Sequence, residues 1–586
     1  MRYPIGLLML CMALFAYFQC SINNDNAVLD NQITSLREEI KTTPTTGGNF
    51  NERLRVAHQW YMLSGDSFAE KMSPIGWESF YERNKNSVEP PQEENLRRLD
   101  EFLQQLDFAD GRASEIATIR METSDRAIAY QYGTWTMVLN VGKLGIVGGG
   151  SITVHHKNTS NWGSLQTTEP SEANYLTAST TGAAALEIDP HRMFPRMFEG
   201  QSSDRLQITI QDGRLVEGDE VRIVFGDRSG GGPGRQVQGF SENDSRYYTL
   251  IDYQGNGVYN PIGWGAVNVE GAEAAAIVAV VPAIVKPGES FPVKIKVEDR
   301  YRNFASNYSG TIQISVGTQI VSEVSISSND TPAATVDITV PLQSGIVRLT
   351  VEDKAHGLTG ISNPLRVDSS SEMSLYWGEL HGHTAITDGI GTTDEFYSFA
   401  RDQAFCDFAA LSEHCQWISD KEWKEMQVGA NAYNYSGKFV ALVAYEWTQN
   451  PIDGGGHHNV YFFGDGGPLI RRFDARTKQE LFRGLEAQMK NETVLVIPHA
   501  HSPGDWRKKD HVMERFAEIY SKQGVFEWFG NRFLENNYVG FVAASDDHTG
   551  HPGNAPAITY WRCNGGLTAV YAEKLTRSGL DLTPKS

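Results

Sequence analysis

The stretch YWGELHGHTAITDG, residues 376–389, decides how this chain is read. Leu375, Tyr376 and Trp377 form an apolar run that reads as a strand. It leads straight into His381 and His383, with Asp388 five residues beyond and Gly389 after it. Taken alone, a His-x-His after a strand fits a solvated turn as well as one corner of a metal site. The rest of the chain has to separate the two.

After Ser374 the sequence alternates strand and helix. SLYWGEL, DFAALS, FVALVAYEW, VLVIPH, FAEIYS, GFVAAS and LTAVYA read as strands, with helical stretches such as TTDEFYSFARDQAF and KQELFRGLEAQMKNE between several of them. Repeated strand–helix units predict a parallel sheet or barrel. Seven strands favour a barrel, and no GxGxxG follows any strand to support a dinucleotide-binding sheet.

Ten of the fifteen histidines lie between residues 381 and 551. They fall, with carboxylates, at the ends of successive strands. Glu413 and His414 lie in LSEHC, Glu446 in AYEWT, His499 and His501 in IPHAH, and Glu518 in FAEIYS. Asp546 and His548 follow FVAAS. Polar residues at the carboxyl ends of parallel strands converge on one rim. His457 and His458 instead precede an apolar run. If that run returns antiparallel beside the strand ending in Glu446, His458 reaches the same rim. Each element has a plain structural reading, such as a helix N-cap for an Asp-x-His. Together they predict a metal site, because burying so many polar groups unpaired would be costly. The donors are imidazole and carboxylate without thiolate, which suits Zn, Mn or Fe, and Glu446 is of a type that bridges two ions.

These residues resemble the motifs of the PHP (polymerase and histidinol phosphatase) superfamily of metal-dependent phosphoesterases, in a poorly characterised secreted branch. HGHTAITDG resembles the first motif and assigns His381, His383 and Asp388. LSEHC resembles the second, with Glu413 in place of the usual Asp and His414 as ligand. Glu446 and His458 match the third, His499 in VIPHAH the next, with Ala500 where proline is common, and Asp546 and His548 in ASDDH the last. The likeness covers residues 374–571, about a third of the chain. It implies a distorted seven-stranded barrel, two or three divalent metal ions and phosphoester hydrolysis.

On this reading a metal-activated hydroxide attacks a phosphoester of a small molecule or a surface. Glu446 carries the catalytic ions, and His501 or His457 protonates the leaving group. Glu413, Glu518 and Arg507 are the residues expected near substrate, although Arg507 and Lys508 also read as a solvated basic turn. Two alternatives stand beside it. One is a metal hydrolase acting on an amide, lactone or sulfate ester. The other is a non-enzymatic surface or binding protein with a structural barrel. Relatives in this branch continue beyond GGLTAVYAEKLTR, so the end of this unit at Ser586 is expected to be incomplete.

The 586 residues exceed one ordinary domain. The expected plan is multidomain: a leader at 1–22, a helical region at 23–112, a β-sandwich at 113–270, an immunoglobulin-like β domain at 271–370 and a distorted (β/α)7 barrel at 371–586. Ile5 to Phe18 reads as a secretory h-region, too short for a spanning helix. Export to a periplasm or cell envelope is therefore expected, with Cys20 placed for a lipid anchor and an uncleaved signal anchor as the alternative. ITSLREEI, NERLRVAHQWYML and ENLRRLDEFLQQLDF carry apolar residues at helical spacing. Short alternating runs separated by Gly, Asn, Asp and Ser predict the β domains. GDRSGGGPGR, residues 226–235, lacks GK[ST] and a following helix, so it reads as a mobile hairpin loop, with a substrate-contacting loop as the alternative. Cys406, Cys415 and Cys563 show no CxxC spacing and read as small buried side chains rather than a disulfide framework. The net charge of −21 disfavours a nucleic-acid partner.

Overall fold

In the computed structural model the strands divide among several sheets, as expected of a multidomain β-rich chain. The structure describes residue 35, residues 50–64, 80–81, 84–85 and 93–107. It also describes 112–580, apart from 123–125, 158, 191–204, 329–330, 340–342, 450–454, 490–492, 539 and 556–562. The leader with Cys20, and most of the first expected helix, lie outside the described residues. No helix among the described residues is long and apolar enough to cross a membrane.

Helices Phe50–Ser64 and Glu93–Asp107 match the helical periodicity. Leu54, Ala57, Leu99 and Phe102 pack with Leu250 of the first β unit, so these helices lie against it. That unit has a four-stranded and a six-stranded sheet around one apolar core. Alternation along Glu220–Phe225 buries Val221, Ile223 and Phe225, which is the period of a half-buried strand. The glycine-rich stretch joins that strand to Arg235–Gln236 as a loop. A second β unit gathers three small sheets over Val293, Ile295, Ile312, Ile314 and Val351. Its VEDRYRN turn is held by Asp299, which accepts from the backbone of Tyr301 and Asn303 at 2.7 and 3.0 Å. Asn303 in turn donates to Gly239 O at 3.1 Å, so the turn docks on the first unit.

In the C-terminal unit we label the strands β1 (Ser374–Glu379), β2 (Phe408–Leu411), β3 (Val440–Thr448), β4 (His457–Phe462), β5 (Val494–Pro498), β6 (Phe516–Ser521), β7 (Gly524–Val525), β8 (Gly540–Ala543) and β9 (Thr568–Ala572). A six-stranded sheet has the order β5-β4-β3-β2-β1-β9, and a three-stranded sheet the order β7-β6-β8. β1, β2 and β3 pair parallel, whereas β4 is antiparallel to both β3 and β5. The last expected strand, LTAVYA, also pairs antiparallel with β1 instead of continuing a parallel series.

Successive residues point to opposite faces and fill two cores. Ala441, Val443, Tyr445 and Trp447 of β3 pack with Val460 and Phe462 of β4 against helices α1 (Thr393–Ser398), α2 (Asp420–Tyr433) and α3 (Lys478–Met489). Leu442, Ala444, Tyr461, Leu495 and Ile497 form the other core. Trp447, Tyr445 and Tyr461 are fully buried, and each such side chain contributes about 1.5–3 kcal/mol from the area removed from water. Two capping boxes, Thr392 with Glu395 and Ser419 with Glu422, fix where α1 and α2 begin. Cys406 and Cys415 are buried thiols as expected, while Cys563 is half-buried.

Candidate metal centre

Three isolated backbone bridges extend the strand pairing past the strand ends, and each involves a residue of the His/carboxylate set or its neighbour. Gly382 pairs with Asp547, His414 with Glu446, and His499 with Glu518, all parallel. Pairing that continues to these positions holds their backbones at one level, so their side chains meet.

Glu446 is the hub. Its Oε2 lies 3.5 Å from His381 Nε2, 3.4 Å from His383 Nε2 and 3.0 Å from His414 Nδ1. Its Oε1 lies 2.8 Å from His457 Nδ1 and 3.7 Å from His499 Nδ1. Asp546 Oδ1 is 3.3 Å from His381 Nε2 and 3.2 Å from His383 Nε2. Asp388 Oδ1 is 3.5 Å from His414 Nε2 and 3.4 Å from His548 Nε2. Three groups bring ligand atoms within 4.8 Å of one another: His381, His383 and Asp546; His383, Asp388, His414 and His548; and His457, His499 and His501. A fourth joins His381, His499 and Glu518.

The surrounding contacts orient these groups. Glu518 lies 3.0 Å from His381 Nδ1, which leaves His381 Nε2 facing Glu446 and Asp546. His548 Nδ1 faces Asp546 O at 2.9 Å, which leaves its Nε2 facing Asp388. Gln523 donates to Asp546 Oδ2 at 2.8 Å. Asp546 itself has a φ of 54°, a left-handed conformation that a non-glycine residue adopts at some cost. Outer contacts of this kind fix a ligand's tautomer and direction.

Electrostatics follow from burial among opposite charges. Burial opposes protonation of His381, but Asp546 and Glu518 overcome it and hold this imidazole well above its ordinary range. Glu446 and Asp388 do the same for His414. Against burial and the neighbouring His414, His383 is pushed up to about 9 by Asp546 and Glu413. Despite burial, Glu446, Asp388 and Asp546 are held well below the carboxylate range by these imidazoles. A divalent ion held there would take over the role of balancing these carboxylates in place of the imidazole protons. The donor set fits such ions in a second way. Neither ring nitrogen of buried His499 has a hydrogen-bond partner, and its donor neighbours His457, His501, His381 and Glu518 make an ion a fitting one; His458 is equally unpartnered but joins none of these groups. The residues able to hold ions are therefore His381, His383, Asp388, His414, Glu446, His457, His499, His501, Asp546 and His548.

His458 is not among them. Glu446 pairs across the strands with Asn459, and Trp447 with His458. His458 thus shares the helix-facing side with Val460 and Phe462. It is buried 3.9 Å from Glu514 and packs against the Trp447 ring. The antiparallel return is as expected, but it delivers His457 to the rim in place of His458. The parity was readable: Asn459, the polar member of the apolar run, shares its side with His457.

Three further expectations change. Burial lowers His501 to about 4, which disfavours the imidazolium form that a general acid uses at neutral pH, and it stands as a third imidazole beside His457 and His499. Glu413 is fully buried and accepts from Thr384 N at 2.7 Å and from the Thr384 and Thr387 hydroxyls. It fixes the loop that carries Asp388 and is closed to substrate. Arg507 is exposed and pairs with Asp505 at 2.8 Å, as the solvated turn. Gln523, Thr384 and Thr387 escaped the sequence reading, because none belongs to a ligand-type residue class.

A family described as "Protein of unknown function (DUF3604)" matches residues 391–504. A protein of Chlamydia muridarum (strain MoPn / Nigg), described as uncharacterized, is 22% identical over 415 residues, which cover 62% of this chain and 64% of that protein. The chain thus spans less than two thirds of this relative's length. Among solved structures, the Yersinia pseudotuberculosis adhesin InvE is 11% identical, covering 45% of this chain and 64% of that one with a TM-score of 0.14. A marsupial T cell receptor is 10% identical, covering 44% and 96% with a TM-score of 0.18. Likenesses this distant carry no weight for fold or function.

Proposed function

We propose that the C-terminal unit is a PHP-like metal-dependent hydrolase with phosphoesters as substrates. Joining β5 to β6 and β8 to β1 through the bridges at His499 and Gly382 gives a ring of seven strands, β1 to β6 with β8, which we read as the distorted barrel. We read the two preceding units as the β-sandwich and the immunoglobulin-like domain, in an exported protein. The observation that carries the proposal is Glu446, one carboxylate facing five imidazoles from four elements of the rim.

Divalent ions held there would supply Lewis acidity, giving a nucleophile from water at neutral pH and positive charge opposite phosphoryl oxygens. The chain's own residues do the rest. Asp388, His457 and His501 are partly open and line the mouth. Glu518 and Gln523 keep His381 and Asp546 aimed inward, and apolar side chains beneath the rim exclude water. The test is elemental analysis of the purified chain, then phosphomonoesters and phosphodiesters with Zn, Mn and Fe in turn, beside amide, lactone and sulfate ester substrates. The proposal expects two or three ions per chain and metal-dependent phosphoester hydrolysis. A chain without ions refutes it and favours the binding-protein alternative.

A further inference from the structure

The loops that carry Asp388 and His548 are gripped from outside their own unit. Lys157 of the first β unit donates through Nζ to Thr387 O at 2.9 Å, one residue from Asp388. Phe240 of the same unit forms an isolated buried pair with Ile390, two residues after Asp388. Ile390 N donates to His548 O at 3.1 Å, which ties the two loops together. The adjoining Ser241 hydroxyl lies 3.3 Å from His551 Nε2, and the Phe240 ring meets His551 edge-on at 5.7 Å. A cavity of about 360 Å³, lined by Lys157 and Glu395 among others, separates the units beside these contacts. The seating here rests on a few contacts rather than a broad apolar plate.

The other three groups are less engaged by the first β unit among the described residues, sharing at most Asp546 with the gripped 546–551 segment. His381, His383 and Asp546 face the interior hub, and His457, His499 and His501 come from β4 and the end of β5. Among the described residues, the group of His383, Asp388, His414 and His548 is the one that takes two ligands, Asp388 and His548, from loops that the first β unit touches. Glu413 braces the same loop from inside, through Thr384 and Thr387.

From this we infer that the first β unit completes this third ion position, with Lys157 and Phe240 as positioning residues that set where Asp388 stands. The inference rests on the metal reading above. Docking of the unit and occupancy of that position then stabilise one another, because an ion bound between Asp388, His414 and His548 favours the seated loop.

The test titrates Mn²⁺ into chelator-treated full-length protein and counts bound ions per chain and their affinities. Lys157→Met keeps the aliphatic stem and removes the donor. It is expected to leave the tight ions unchanged and to weaken one ion about 10- to 100-fold, the usual loss for an outer partner of a ligand. Phe240→Ala is expected to weaken the same ion, Asp388→Asn to identify it by removing a ligand, and Lys157→Arg to restore it. If folded Lys157→Met binds every ion as the wild type does, or loses all ions equally, the inference is overturned while the metal reading stands. A wild-type chain that binds no Mn²⁺ overturns the metal reading, and the inference with it.

Discussion

Glu446 and His457 carry the sharpest predictions at the scale of single residues. Glu446→Gln keeps the shape and removes the charge that five imidazoles share. Ion affinity should fall by more than the about 10–100-fold seen for outer partners, with hydrolysis falling alongside. Elemental analysis after dialysis checks it. His457 and His458 form a paired test. His457→Ala should lose an ion, whereas His458→Leu should keep all of them, since His458 lies on the opposite face of β4 beside Trp447 and Glu514. Which donor side chains gather was largely legible in the sequence, because His and carboxylate followed apolar runs. The choice between adjacent histidines depended on the register of β4 against β3, which local composition marks only through Asn459. Residues such as Gln523 were not legible, since an amide acting on Asp546 looks like any surface glutamine.

Among elements, the end of β6 is fastened to the end of β8 by Lys522 and Asp547, whose charged atoms stand 3.0 Å apart with both side chains buried. Burial alone would raise the Asp547 carboxyl, but Lys522 and its hydrogen bonds hold it down at about 2. Lys522→Met leaves that charge buried and unpaired, and should cost about 3–5 kcal/mol in denaturant unfolding. The second β unit has a comparable device. Asp353 is buried. Burial works to raise it, and hydrogen bonds from the Tyr308 hydroxyl at 2.6 Å and from His356 hold it below its ordinary 3.8. A depressed carboxylate stabilises the fold above its ordinary value, and this contribution is lost as the pH falls through the folded value. Asp353→Asn should therefore flatten the acid limb of thermal unfolding below about pH 4, with little effect on that slope at neutral pH. Strands were legible as elements because apolar runs and turn residues bound them. Their partners were not: the antiparallel β9 and the pairing past strand ends are long-range choices that no local period encodes.

For the whole molecule, we propose that the first β unit and the C-terminal unit share one functional site, with the ions in the C-terminal unit and part of their support in the first β unit. Ion binding should raise the stability of the whole by about 2.7 kcal/mol at a free ion concentration 100 times Kd. Chelation should lower Tm by the corresponding amount, and acidification should release the ions as the imidazoles protonate. The division into β-rich units was legible from composition and turn spacing. How they sit on one another was not, because Lys157 and Phe240 look like ordinary surface and core residues until Thr387 and Ile390 are beside them. The most direct measurement is anomalous X-ray scattering at the Mn edge from crystals of the Mn-loaded full chain. The account predicts two or three strong peaks around Glu446, with neighbouring ions about 3.5–4 Å apart where a carboxylate bridges them. No anomalous density within reach of Glu446, His381 and Asp546, or peaks confined to surface carboxylates, would contradict it.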